Sequence, residues 1–233
     1  QPHFDYPHAY LADLPSKLTA TGVGRGYRAD EAAEQTPPPR KEVQLRAPLF
    51  EQGEKKLTPA EIGTVHHLFM QFCDFDAACA PNGVENELNR LAEKKILSTE
   101  QAHAVDKRKI ERFFASDLYK TFMAENRMRR EFKFSVLVPA QAYFPVAADV
   151  PEENVLLQGV IDCLIETRDG FVILDFKTDR IKTGGAVERA EQYRPQLAAY
   201  ARAVHEIYGR PVRACVLYYF HTGDTEWVSL DED

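Results

Sequence analysis

The sequence predicts an α/β fold, built around a β-hairpin and a long helix that leads into a further strand. Three stretches carry the prediction. Residues 159–165 and 171–178 are both rich in β-branched and aromatic side chains, which marks them as strands. The Asp169-Gly170 dipeptide between them is a hairpin signal. Residues 187–208 then carry Tyr193, Leu197, Tyr200, Val204 and Tyr208 at helical spacing and stop at Gly209-Arg210-Pro211. Residues 212–220 return to a strand pattern.

Composition sets the outer bounds. The chain has 233 residues, enough for one large domain or a domain with extensions, and 44% of them are apolar. A net charge of −7 and a pI near 5.6 exclude a uniformly basic nucleic-acid coat, although a local field can still bind a polyanion. One basic region exists: residues 106–133 hold nine Lys/Arg against five Asp/Glu, for a net of +4. The four cysteines, Cys73, Cys79, Cys163 and Cys215, form no C-x-x-C pair, which fits a reduced cytoplasmic setting. No signal peptide or apolar run of membrane length is present. The chain opens on Gln1 rather than Met, and it is expected to be a piece of something longer.

Residues 1–56 have weak periodicity and read as an extended linker or docking segment, with residues 57–233 as the folded domain. The glycine run at residues 22–26 lacks the G-K-[ST] ending of a phosphate loop. Residues 35–41 are proline-rich linker, whereas residues 14–21 could dock as a short segment. The first strong helix start is Thr58-Pro59-Ala60-Glu61, a capping box with proline at the first helical position. Its apolar stripe is expected to be Ile62, Val65, Phe69 and Phe72. Gly63 lies one turn before His67, and the missing side chain is expected to leave His67 room to reach a ligand. His66 points elsewhere around the helix and is expected to matter little. Residues 84–124 read as two or three helices, one starting at Ser98, and residues 129–138 alternate as a strand.

The chemistry concentrates on the hairpin. Side chains alternate along a strand, so Phe171, Ile173, Asp175 and Lys177 share one face and Val172, Leu174 and Phe176 the other. A two-residue loop puts Asp162 opposite Lys177, and a four-residue loop puts it opposite Asp175. Either even-length loop leaves Asp162, Asp175 and Lys177 on one face, whereas a three-residue loop would not. Charges on an apolar hairpin need partners or a metal. A salt bridge is one reading, and a Mg²⁺ site with an assisting lysine is the other.

The spacing G-x-I-D followed by D-F-K-T resembles the catalytic motifs of the PD-(D/E)XK nucleases, and more narrowly their RecB-like exonuclease branch. Residues 63–71, Gly-Thr-Val-His-His-Leu-Phe-Met-Gln, resemble the G-T-x-x-H-x-x-M-Q start of the AddA-type (RexA) nuclease domain. Arg130-Glu131-Phe132-Lys133-Phe134 resembles that family's R-E-x-P-F strand, with a lysine in the proline position. Tyr193, Gln196 and Tyr200 match its Y-x-x-Q-L-x-x-Y helix, and Tyr218-Tyr219-Phe220 resembles its last strand. The resemblance covers about residues 57–221. It implies a mixed sheet flanked by helices, with an inserted helical region before the first strand.

It also implies metal-assisted phosphodiester hydrolysis. His67, Asp162, Asp175 and the backbone carbonyl of Phe176 would hold Mg²⁺, with Mn²⁺ as a substitute, and no iron–sulfur cluster is expected. Lys177 would serve the attacking water and the transition state, with Glu131 as a further acid. Gln196, Tyr200 and Tyr193 would position the DNA strand. The family context is a bacterial, cytoplasmic ATP-dependent helicase–nuclease for double-strand-break repair and recombination. Its motor would lie upstream in the same polypeptide, its partner would be of the AddB (RexB) type, and its substrate would be a single strand at a processed end. Two other readings remain: an AddB-type or CRISPR-associated relative with four ligating cysteines, and a non-catalytic DNA-end-binding module.

Overall fold

The computed structural model describes residues 11, 14–23, 57–150 and 152–230. The proline-rich stretch at 35–41 and most of the glycine run lie outside the described residues. A six-stranded mixed sheet forms the centre. Strand β1 (Lys17–Thr19) runs parallel to β3 (Asn154–Thr167), and β2 (Arg127–Pro139) runs antiparallel along the other side of β3. The hairpin partner of β3 is β4 (Gly170–Lys177), which pairs in parallel with β5 (Val212–Tyr219); β6 (Thr225–Val228) closes the order. The expected docking segment is thus a strand of the sheet, so a boundary at residue 56 does not separate residues 14–23 from the domain.

Two apolar layers cover the sheet. One face carries helices α1 (Pro59–Phe72), α2 (Phe75–Ala78), α3 (Gly83–Glu93), α4 (Thr99–Ala104) and α5 (Lys107–Ala115), together with a π-helical segment at Leu118–Met123. The opposite face carries the 23-residue helix α6 (Ala186–Tyr208). This crossover helix satisfies the need of parallel strands β4 and β5 for a long connection.

Local chemistry explains the helix starts. The Thr58 N–H donates to Glu61 Oε2 at 2.7 Å, and Glu61 N–H returns to Thr58 Oγ1 at 3.3 Å. Ser98 and Gln101 repeat the box at the start of α4. The buried face of α1 is rotated from the expected stripe. It comprises Gly63, Val65, His66, Phe69 and Met70, while Phe72 is exposed. The sheet approaches α1 from the Gly63 side, and this rotation buries His66. Its ring packs 5.4 Å from Phe220, and Nδ1 donates to the Ile62 carbonyl at 2.8 Å. His66 is therefore a core residue on the buried face of α1.

The hairpin register matches the four-residue-loop alternative, although Thr167 also pairs with Gly170, so the turn itself is the two residues 168–169 rather than Asp169-Gly170. Glu166 pairs with Phe171 and Cys163 with Leu174, so Asp162 comes opposite Asp175 one step further. Face alternation in β4 holds: Phe171 and Ile173 join the α6 layer, and Val172, Leu174 and Phe176 join the α1–α5 layer.

The neighbouring strands do not alternate throughout. In β2, Met128 and Arg130 face the α1–α5 layer, yet Phe132, Phe134 and Val138 face the α6 layer. In β3, Ile161 faces α6 while Cys163 faces the other way. Both switches occur at one level, at Glu131 and Asp162. Glu131 has φ +50°, a left-handed conformation that costs a non-glycine residue roughly 1–3 kcal/mol.

A buried carboxylate clamps the helical layer. Glu87 accepts the Asp74 N–H and an Arg90 Nη2 hydrogen bond at 2.6 Å each, and Arg90 Nη2 also donates to the Phe72 carbonyl at 2.9 Å. The Arg90 hydrogen bonds hold the Glu87 carboxyl below its ordinary value of 4.5. The unfolded chain therefore binds this proton more tightly, so the clamp is at full strength above 4.5 and weakens as pH falls through the depressed folded value. Glu87→Gln should lose about 1–3 kcal/mol at neutral pH. Its melting temperature should also fall less steeply than that of the parent below pH 4.5. Thermal melts across pH check this, and parallel profiles would contradict it.

Candidate active site

The site lies where the β3–β4 ladder stops. Beyond the Cys163–Leu174 pair the Phe176 N–H no longer bonds to the β3 backbone; it donates to Asp162 Oδ2 at 2.7 Å. This hydrogen bond locks one acid. The second, Asp175, is buried and ion-paired, with Lys177 Nζ 2.6 Å from its Oδ2. Helix α1 brings His67 Nδ1 to 3.4 Å from Asp162 Oδ1. Each carboxylate thus has its own basic partner.

Burial pushes the Asp175 carboxyl up, Lys177 opposes this, and the Asp162 charge adds to the rise. Burial pulls the His67 imidazole down, but the hydrogen bond and charge of Asp162, with Asp175 behind it, prevail and raise it. Glu131 is also raised, first by burial and then by Asp162. Its position beside Asp162 follows from the face switch, where β2 and β3 bring the two residues to the same level.

Helix α6 supplies the other wall. Gln196 Oε1 accepts from Lys177 Nζ at 3.4 Å, and Gln196 Nε2 donates to Tyr200 OH at 2.7 Å. Tyr200 is buried, and its hydroxyl holds the Gln196 amide in place. Lys177 Nζ also lies 3.7 Å from the centre of the Tyr193 ring, a cation–π contact. The Tyr193 hydroxyl donates to Asp179, which accepts from Arg189 Nε and Nη2 at 3.3 Å. Sequence reading missed this Asp179–Arg189–Tyr193 cluster, in which Asp179 anchors the start of the connection between β4 and α6. Arg189 and Tyr193 stand four apart on α6, and that spacing beside Asp179 was the available signal.

The expected role of Gly63 also needs correction. Its missing side chain accommodates Thr178 rather than His67. A Cβ there would lie 2.7 Å from Thr178 Oγ1. His67 reaches Asp162 because it sits one turn further along α1. All the sequence-selected residues otherwise meet at one end of β4.

Two carboxylates, an imidazole and a nearby backbone carbonyl make a donor set suited to a hard or borderline divalent cation. Asp162 and Asp175 face each other and need positive charge between them. Among the described residues no three such side chains converge on one ready-made point. Lys177 occupies an Asp175 oxygen and His67 faces Asp162, so ion binding requires local rearrangement of these two pairs.

The sequence matches the PD-(D/E)XK nuclease superfamily over residues 40–229. It is also similar to one component of the ATP-dependent helicase/nuclease of Moorella thermoacetica, at 38% identity over 94% of this chain and 15% of that protein. The same-named proteins of Desulforamulus reducens and Desulforudis audaxviator are 37% and 34% identical, over 94% and 95% of this chain. The chain spans 18% of the length of each of these two relatives. The superfamily match takes in five of the sheet's six strands, β2 to β6, and every residue of the cluster, and the protein therefore belongs to the PD-(D/E)XK nuclease superfamily.

Proposed function

We propose that this chain is a divalent-metal-dependent nuclease domain that hydrolyses DNA phosphodiester bonds as an exonuclease. Its context is an AddA-type helicase–nuclease, with motor domains upstream, an AddB-type partner and a role in bacterial double-strand-break repair and recombination. The substrate is a single strand at a processed end. The four free cysteines suit a reducing cytoplasm. The observation that carries the reading is the meeting of Asp162, Asp175 and Lys177 at the end of β4, where each acid is held by a named partner.

In this reading His67, Asp162, Asp175 and the Phe176 carbonyl hold Mg²⁺, or Mn²⁺ in its place. The ion, when bound, polarises the phosphoryl oxygen and lowers the pKa of water. The remaining work belongs to side chains. Lys177, fixed by Asp175, Gln196 and Tyr193, presents an ammonium to the charge that develops on the phosphoryl oxygens. Glu131 stands beside Asp162 as a further acid, and its raised carboxyl suits proton exchange with water. Gln196, Tyr193 and, through Gln196, Tyr200 orient Lys177 and the incoming strand.

Lys177→Ala should reduce cleavage of labelled single-stranded DNA by about 10²–10³-fold, as expected for loss of a group that stabilises transition-state charge. Without metal the variant should also melt lower, because Asp175 has lost its cation; added Mg²⁺ should restore most of that loss. Near-parental cleavage, together with a melting drop that metal does not rescue, would identify the pair as purely structural.

Metal should stabilise the parent by about 2.7 kcal/mol at a hundredfold excess over the dissociation constant. Asp175→Asn should abolish this stabilisation along with cleavage. His67→Ala should weaken Mn²⁺ binding more than Mg²⁺ binding, since imidazole favours the softer ion. Calorimetric titration of the three proteins checks the ranking. Equal losses for both ions in His67→Ala would remove His67 from the ligand set.

A further inference from the structure

A cavity of about 500 Å³ opens on the α1 side of the end of β4. Gly63, Thr178, Asp179 and Arg180 line it, with Lys109 from α5, His66, Phe220 and His221. Its wall at Gly63 and Thr178 is the tight contact that also sets the position of His67 one turn along. Lys177, immediately before Thr178, faces the other way, toward Gln196 and Tyr193. The cavity and the α6 wall therefore flank the catalytic end of β4 on opposite faces.

Three features make this cavity suited to one nucleotide. Its apolar side is formed by Ile62, backed by the packed and almost wholly buried His66–Phe220 rings. Lys109 and Arg180 carry no ion pair among the described residues. Of the two acids in the lining, Asp179 is ion-paired with Arg189 and hydrogen-bonded by Tyr193, and Asp106, the N-cap residue of α5, makes no side-chain capping hydrogen bond, so among the described residues the two cations face one uncompensated carboxylate. The third feature is an orphaned atom: His66 is buried and its Nε2 has no partner. Because Nδ1 donates to the Ile62 carbonyl, Nε2 offers a lone pair that a base amino or imino group can satisfy.

A hydrolysed polymer must lie on both sides of its scissile bond. Gln196 and Tyr193 stand on one side of Lys177 in the proposed nuclease mechanism, on which this inference rests. The geometry points to the Lys109–Arg180 cavity as the subsite for the flanking nucleotide on the other side. Its phosphate sits between Lys109 and Arg180, and its base lies toward Ile62 and the His66 edge of the cavity. The single strand thus crosses over the end of β4, from the α6 wall to the α1 wall.

The test separates this subsite from the chemistry. The Lys109→Ala/Arg180→Ala double variant removes two side chains that touch neither the acids nor Lys177. Its affinity for a single-stranded oligodeoxynucleotide, read by fluorescence anisotropy with Ca²⁺ as a non-supporting ion, should fall about tenfold. The slope of log affinity against log salt should fall by about 1.4, two phosphate contacts at roughly 0.7 each. Turnover of bis(p-nitrophenyl) phosphate with Mn²⁺, a substrate too short to reach the cavity, should equal that of the parent. A matched control, Lys94→Ala/Lys95→Ala, removes two charges from the far end of the helical layer and should leave the slope unchanged. Parental affinity and slope in the cavity variant would overturn the subsite, as would an equal loss in the control. If the parent cleaves neither substrate, the nuclease reading fails; the anisotropy arm then still decides whether the cavity holds a strand.

Discussion

Two carboxylates on adjacent strands, facing each other at the edge of an apolar core, impose the governing constraint. Asp162 and Asp175 repel, and burial makes that repulsion expensive unless positive charge is supplied. The fold supplies it from two directions. Helix α1 delivers His67 to Asp162, and β4 itself delivers Lys177 to Asp175. The capping box that starts α1, the Gly63–Thr178 contact that seats it and the α6 side chains that hold Lys177 are all conditions for that balance. In the proposed mechanism a divalent cation would have to compete with the His67 and Lys177 side chains for the two acids rather than with water alone.

Strain is placed at the same level. A regular β2 and β3 would keep each face uniform and would bury Glu131 and Asp162 against one layer or the other. The left-handed Glu131 breaks that uniformity, and both strands change sides there. The β3–β4 ladder also ends there, leaving the Phe176 N–H free to bind a side chain instead of a carbonyl. Functional groups emerge where regular pairing has been given up, which explains why neighbouring core residues such as Ile161, Cys163 and Leu174 remain fully buried.

Much of this was legible in the sequence, for identifiable reasons. Period-two alternation in residues 171–177 specified the faces of β4, and even loop length placed both acids together. Side-chain chemistry at Thr58, Glu61 and Ser98 announced helix starts that depend on local atoms alone. What escaped reading depends on long-range packing. The buried stripe of α1 is set by where the sheet lies, so His66 is core and Phe72 is not. Glutamate has no preference for φ near +50°, so nothing local announced the switch at Glu131. Gly63 was recognised as a gap, but its occupant comes from 115 positions later in the chain, beyond any local pattern. Likewise, only the docking of α6 brings Tyr193 over Lys177 and under Asp179.

The central claim is that the two acids and His67 form one cation site at the end of β4. Crystals grown with Mn²⁺ and measured at the manganese absorption edge test it most directly. The expected result is an anomalous peak between Asp162, Asp175 and His67, with Lys177 Nζ displaced from its 2.6 Å contact with Asp175. A fully occupied Mn²⁺ peak elsewhere on the protein, with both ion pairs intact and no density between the acids, would contradict it.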